Sequence, residues 1–221
     1  MGKVVGKVKN LTRKKIIFDL DGTLLFISED WKEKYQEFID KYELSLTPEE
    51  LYRSIGTIEE NSTDTIVDKD FFIKYMNERL PKPLTNEILE DYLNYYAEIT
   101  LLHTEVIYDV LEYLSQKYEL ISYSDWFTEN QIKRLKRYNL DKFFSKIYGW
   151  DVLPVKPSIK GIQEIIKDDN IEDFIFVGDV IKYDLDIPDS MGMATIFYNR
   201  KGINQDKYEE ITNIEELKNI F

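Results

Sequence analysis

The run Lys15-Ile16-Ile17-Phe18 passes directly into Asp19-Leu20-Asp21-Gly22-Thr23. Consecutive bulky apolar residues without polar alternation predict a strand buried on both faces, as in a parallel sheet. Asp-Gly is a common turn pair and marks where such a strand stops. If the strand continues through them, Asp19 and Asp21 point to the same side. Open α/β sheets bind ligands at the C-terminal ends of their strands. Two carboxylates this close repel one another unless they share a cation or a proton.

Further runs of the same texture follow at Tyr118–Ser124, Lys146–Gly149, Asp173–Asp179 and Ala194–Tyr198. Helical patterns lie between them. Thr104 opens one, with Ile107, Val110, Leu111, Leu114 and Tyr118 on a single face. Thr128 and Gln131 have the spacing of a capping box ahead of Ile132, Leu135 and Tyr138. Pro157 begins a third, with Ile159, Ile162, Ile165 and Ile166. Strands alternating with helices predict right-handed βαβ units in an α/β, doubly wound (Rossmann-like) parallel sheet.

From about Ser28 to Thr100 the texture changes to helix after helix. Trp31, Tyr35, Phe38, Ile39 and Tyr42 form one stripe, and Phe71, Phe72, Tyr75 and Met76 another. Ile88, Tyr92, Tyr95, Tyr96 and Ile99 form a third. Thr47-Pro48-Glu49-Glu50 carries an N-cap, a first-turn proline and a glutamate at the third position. The expected organisation is an α/β core from residues 1–25 and 103–221, with an all-helical cap domain inserted at 26–102.

Composition narrows the function classes. Twenty-nine Lys and Arg against forty-two Asp and Glu give a net charge of −13, which repels nucleic acid. With no cysteine there are no disulfides, thiolate metal sites or cysteine nucleophile. The one histidine, His103, leaves no multi-histidine metal cage and is read as structural. No apolar run reaches the ~18–20 residues of a membrane span. The basic N-terminal residues Lys3, Lys7, Lys9, Arg13, Lys14 and Lys15 lack the apolar core of a signal peptide, so a cytoplasmic location is expected.

Chemistry-bearing residues recur at the ends of the other runs. Ser122-Tyr123-Ser124-Asp125 ends the second, next to a helix start where a hydroxyl and free N–H groups suit a phosphate. Lys156 stands before Pro157 and is held extended at a loop-to-helix junction. Gly178-Asp179 ends another run, with Asp184 and Asp186 following. Three acidic strand tips repel one another, and a hard divalent cation resolves that cost, Mg²⁺ being the default.

In that order the set Asp19-Leu20-Asp21-Gly22-Thr23, Ser124, Lys156, then Gly178-Asp179 with Asp184, resembles the haloacid dehalogenase-like (HAD) superfamily. The resemblance covers residues 14–25 and 104–200, and the helical insert resembles the family's cap in position only. Val180 and Trp126 depart from the family pattern, and Ser122 competes with Ser124 for the hydroxyl role. The resemblance implies Asp19 as nucleophile and Asp21 as general acid and base. It implies Ser124, Lys156 and Thr23 as phosphate ligands, and Asp19, the backbone carbonyl of Asp21, Asp179 and Asp184 around Mg²⁺. An acid at the position of Asp21 goes with phosphatases and phosphomutases, whereas the family's dehalogenases lack it.

The function expected is therefore a Mg²⁺-dependent phosphatase acting through an aspartyl-phosphate. The alternatives are a phosphomutase on a sugar phosphate and a non-catalytic binding protein of the same fold. The insert is expected to act as a lid hinged near Leu24–Ile27 and Ile99–His103. Arg53 is read as a solvated charge, with an anionic substrate group as its alternative partner. The partners expected are a small phosphorylated substrate, no nucleic acid and no membrane, with the chain a monomer or a homodimer.

Overall fold

The computed structural model describes residues 14–221. Lys3, Lys7, Lys9 and Arg13 of the basic N-terminal run lie outside them. Of the remaining two, Lys14 is exposed, while Lys15 heads a strand and is tied to Glu119 and Asp169 at 3.2 and 2.7 Å.

Six parallel strands form the sheet: β1 (Lys15–Phe18), β4 (Glu119–Tyr123), β5 (Phe144–Tyr148), β6 (Phe174–Gly178), β7 (Ala194–Tyr198) and β8 (Glu209–Ile211). Their spatial order is β5-β4-β1-β6-β7-β8. The chain winds outward from β1 to one edge, returns to β6, and winds to the other edge. The reversal between β1 and β6 is the topological switch point, where the connecting loops part and leave a crevice.

Side-chain alternation explains the two layers. Ile16 and Phe18 of β1 face α5 (Thr104–Ser115), against Ile107, Val110, Leu111 and Leu114. Ile17 faces the other way, into a layer with Ile162, Ile165 and Ile166 of α7 (Ile159–Ile166). Every one of these strand residues is fully buried, as the unalternated apolar runs require.

Between β1 and α5 the chain forms four helices: α1 (Trp31–Lys41), α2 (Pro48–Asn61), α3 (Lys69–Asn77) and α4 (Asn86–Glu98). The expected capping box at Thr47 is present, with Glu50 reaching back to the Thr47 N–H at 2.8 Å. Phe38, Leu51, Ile58, Phe72, Leu89 and Tyr92 pack into one core. That core continues into the α/β part through Trp126, Phe127, Trp150 and Val155. The segments entering and leaving the insert, β2 (Phe26–Ile27) and β3 (Leu101–Leu102), pair with each other in antiparallel fashion. They coincide with the two expected hinge segments.

Three local expectations are corrected, and one strand is added. β1 ends at Phe18, because Leu20 C=O collects the N–H groups of Thr23, Leu24 and Leu25 and winds the chain into a turn. Asp19 and Asp21 therefore do not sit on one continuous strand. Thr128 and Gln131 form no capping box: α6 (Thr128–Lys136) is capped by Asp151, whose Oδ1 accepts from the Thr128 N–H and Oγ1. That end of α6 is thus no free anion site. The helix expected from Pro157 starts at Ile159, because Ser158 accepts the Gly161 N–H and is its cap. The edge strand β8 is too short and too polar to show in the sequence pattern. Two short helices complete the fold, α8 (Asp186–Ser190) and α9 (Leu217–Ile220). Among the described residues no helix is long and apolar enough to cross a membrane.

Candidate active site

The crevice at the switch point is a cavity of about 180 Å³ whose lining includes Asp19, Asp21, Ser124, Lys156, Asp179 and Asp184. Strand tips supply three of them and a loop a fourth. Asp19 follows β1, Ser124 follows β4, Asp179 follows β6, and Lys156 comes from the loop between β5 and α7. Asp184 lies in a π-helical turn, Ile181–Leu185, that folds back beneath β6. The Val180 N–H donates to its Oδ2 at 2.9 Å and pins it there.

The Asp19, Asp179 and Asp184 carboxylates are buried, with ligand oxygens within 4.8 Å of one another. Lys156 Nζ donates to Asp19 Oδ1 at 2.7 Å and to Asp184 Oδ1 at 2.6 Å. Among the described residues Asp179 has one ion-pair partner, Arg200, at 3.9 Å. One buried lysine among three buried carboxylates leaves the pocket short of positive charge. The consequence shows in the titration behaviour. Burial pushes the Asp19 carboxyl well up, and Asp184 and Asp179 reinforce this against Lys156. Asp179 is raised by burial and then by Asp184. Burial works against the Lys156 charge, but Asp184, Asp19 and Asp125 together hold the ammonium well above its usual range. A hard divalent cation needs an oxygen-only donor set, which these three carboxylates supply, and the cation would bring the positive charge the pocket lacks.

Two glycines are required by this cluster. Gly22 has φ +97°, and a Cβ there would sit 2.7 Å from Asp179 Oδ2. Gly178 lies directly against the Asp184 side chain, where a Cβ would overlap it. The Asp-Gly and Gly-Asp pairs of the sequence are thus packing solutions that let three acids converge.

Asp21 sits at the rim of the same cavity, 36% exposed, and its carboxylate lies outside the three-acid cluster. Arg134 Nη1 reaches Asp21 Oδ1 at 2.7 Å and Oδ2 at 2.9 Å, while Gln131 Nε2 donates to Oδ2 at 2.7 Å. Gln131 Nε2 also donates to Ser124 Oγ at 2.7 Å, which leaves the Ser124 hydroxyl hydrogen free to point elsewhere. Arg134 is only 1% exposed and stacks on the Tyr96 ring of α4 at 4.6 Å. Neither Gln131 nor Arg134 stands out in the sequence as a site residue: Gln131 reads as a capping residue and Arg134 as the polar face of an amphipathic helix. The insert covers that face.

Of the two serines, Ser124 lines the cavity, while Ser122 is buried with its hydroxyl unpartnered. Thr23 is fully buried, its Oγ1 makes no hydrogen bond, and it is not part of the cavity lining. Asp186 turns away to Lys207 and Tyr208. Arg53 is exposed on α2 and does not line the cavity. His103 precedes α5 with φ +59°, its ring against Phe26. Trp126 fills the insert's core, and its Nε1 donates to Asn130, whose amide in turn reaches Leu93 C=O.

Residues 16–198 match the family model of the haloacid dehalogenase-like hydrolases. No curated protein sequence matches the chain. Among solved structures it is similar to the HAD-hydrolase YfnB from Bacillus subtilis bound to magnesium, with 21% identity and a TM-score of 0.72 over 94% of this chain and 98% of that one. A 2-haloacid dehalogenase from Pseudomonas syringae pv. Tomato is 19% identical, with a TM-score of 0.68 over 94% and 97% of the two chains. A HAD phosphatase from Thermococcus onnurineus is 23% identical, with a TM-score of 0.61 over the same shares. At these identities the likeness is one of fold. The family match spans most of the chain and takes in the tips of β1, β4 and β6 together with Lys156, and the chain belongs to the haloacid dehalogenase-like hydrolase family.

Proposed function

We propose that the protein is a phosphatase that hydrolyses a small phosphate monoester through a phosphorylated Asp19. The observation that carries this reading is the pairing of a buried carboxylate, Asp19, with a second one, Asp21, at the rim of one cavity. A dehalogenating site has no use for an acid that protonates an ester oxygen.

An Asp19 oxygen attacks phosphorus, and the bond from phosphorus to the ester oxygen breaks. The departing alkoxide takes a proton from Asp21. In the second half a water gives its proton to Asp21 and attacks phosphorus. Phosphate leaves, and the Asp19 carboxylate is restored. Lys156, fixed between Asp19 and Asp184, holds transferring oxygens. The Ser124 hydroxyl, accepting from Gln131, donates to one of them. Asp19, Asp179 and Asp184, with the Asp21 backbone carbonyl, would hold Mg²⁺. When bound, that ion offsets the repulsion between carboxylates and a phosphate dianion. The four-helix insert is proposed as the lid that excludes water and contacts the leaving group, with the β2–β3 ribbon as its hinge.

The test is release of chromophore from p-nitrophenyl phosphate with and without Mg²⁺, in the parent and in Asp19→Asn. Mg²⁺-dependent release, lost in the variant, is expected. Normal activity in Asp19→Asn rejects the covalent scheme. Isomerised phosphosugar without free phosphate would point to a mutase instead.

A further inference from the structure

The insert forms the wall of the cavity opposite the carboxylate cluster, through Tyr52, Ile55, Gly56 and Glu59 of α2 and Tyr92 and Tyr96 of α4. This wall carries no lysine, arginine or histidine. Its one carboxylate is Glu59, and among the described residues no hydrogen bond or ion pair reaches it. Burial, and then repulsion from Asp125, push the Glu59 carboxyl up to about 8. The hydroxyls of Tyr52 and Tyr96 are likewise without a hydrogen-bond partner among the described residues. An acid facing other acids across a cavity is an unfavourable arrangement unless a ligand brings the missing positive charge.

Resting on the phosphatase reading, we infer that the leaving group carries an ammonium received by Glu59, so that the substrate is the phosphate monoester of a small amino alcohol. The phosphate end is fixed at Asp19, Ser124 and Lys156, so the rest of the molecule must extend toward the insert wall. An ammonium there has three N–H donors, and Glu59, Tyr52 and Tyr96 offer acceptors for them. Charge decides against an acidic leaving group. Asp19, Asp21, Asp125, Asp179 and Asp184 outnumber Lys156 and Arg134 by three, and a divalent cation on the cluster offsets two of those charges, so a second anion would add to the remaining excess where an ammonium reduces it. The cavity, at about 180 Å³, is also smaller than the roughly 300–1,000 Å³ of pockets that take drug-sized ligands.

A neighbouring hollow gives the inference its counter-case. It shares Tyr52, Tyr96, Asp21 and Asp179 with the cavity, adds His103, Arg200 and Lys201, and does not touch Asp19, Ser124, Lys156 or Glu59. A substrate with a second anion would turn that way.

The experiment compares kcat/KM for O-phosphoethanolamine, its neutral isostere propyl phosphate, and the dianionic-plus-carboxylate 2-phosphoglycolate, in the parent and in Glu59→Gln. The parent is expected to favour phosphoethanolamine over propyl phosphate by about tenfold or more, mainly through KM. In Glu59→Gln that ratio should collapse toward one. Equal rates for the first two esters, a preference for phosphoglycolate, or a ratio unchanged in Glu59→Gln overturns the inference. Inhibition of the parent by free ethanolamine but not by propanol is the matching result without a variant, and equal inhibition counts against it. p-Nitrophenyl phosphate separates the two levels. If it is hydrolysed with Mg²⁺ but no amine preference appears, the ammonium site alone is wrong. If none of the four esters is hydrolysed, the phosphatase reading falls and this inference with it.

Discussion

Removing either partner of the Arg134–Asp21 pair should cost very different amounts of stability. Arg134 is 1% exposed and Asp21 is 36% exposed. In Asp21→Asn the guanidinium loses its only carboxylate while staying buried, with Gln131 Oε1 at 2.8 Å and the Tyr96 face as its remaining company. Breaking a fully buried pair this way costs about 3–5 kcal/mol. Here one partner is at the rim and asparagine keeps one acceptor, so the cost falls below that range, at about 2 kcal/mol. In Arg134→Met the surviving charge is Asp21, which water reaches. The substitution also removes Nε and Nη2, both buried without partners. Its cost should stay below about 1 kcal/mol, and the methionine fits the apolar cover of Tyr96. The double variant should regain most of what Asp21→Asn loses. Urea unfolding of the four proteins, closed as a double-mutant cycle, measures the coupling. If Arg134→Met is the more destabilising single change, or the cycle closes with no coupling, the burial asymmetry is not what governs this pair. The same cycle also guards the chemistry, since a dead Asp21→Asn would otherwise conflate a lost acid with a loosened fold.

Three further outcomes are expected. MgCl2 at ten times its Kd should stabilise the protein by about 1.4 kcal/mol, and Asp179→Asn should remove most of that shift in a thermal melt. Gly22→Ala combines an unfavourable positive φ with a Cβ 2.7 Å from Asp179 Oδ2, so it should cost about 1–3 kcal/mol and weaken Mg²⁺ binding in a calorimetric titration. Burial pushes the Asp125 carboxyl from 3.8 up to about 6, so between those values the folded state holds a proton the unfolded state has lost. That contribution to stability is present below about pH 4 and is lost as pH rises through 6, by up to about 3 kcal/mol. Asp125→Asn should therefore flatten the stability profile over this window, and an unchanged slope would discount the burial.

The parts of the fold legible in the sequence are those that bury apolar side chains at a regular period. Ile16-Ile17-Phe18 and Phe174-Ile175-Phe176-Val177 announce central strands because both faces are covered. The end of β8, with Glu209 and Glu210, carries no such period. Asp19, Ser124 and Asp179 were legible because each follows the end of a strand, Lys156 because it stands ahead of a proline, and Asp184 through its spacing from Gly178-Asp179 in the family resemblance. Gln131, Arg134 and Glu59 were not. Each lies on the polar side of an amphipathic helix, and only the docking of the insert against α6 and the cluster turns that side inward. Thr128 misled for a related reason: its true cap, Asp151, is distant in sequence and comes from the loop after β5.

The aromatic core shared by the insert and the α/β part also fixes where the protein emits light. Its only three tryptophans, Trp31, Trp126 and Trp150, all belong to that one core, the last two buried. Trp126 and Trp150 report on this seam, and Trp31, packed on Tyr35 and Tyr52, on the insert beside it. Any excursion that parts the four helices from the loops after β4 and β5 would wet Trp126 and Trp150 and shift their emission to the red. Binding events at the cavity can thus be timed by stopped flow on the unlabelled protein.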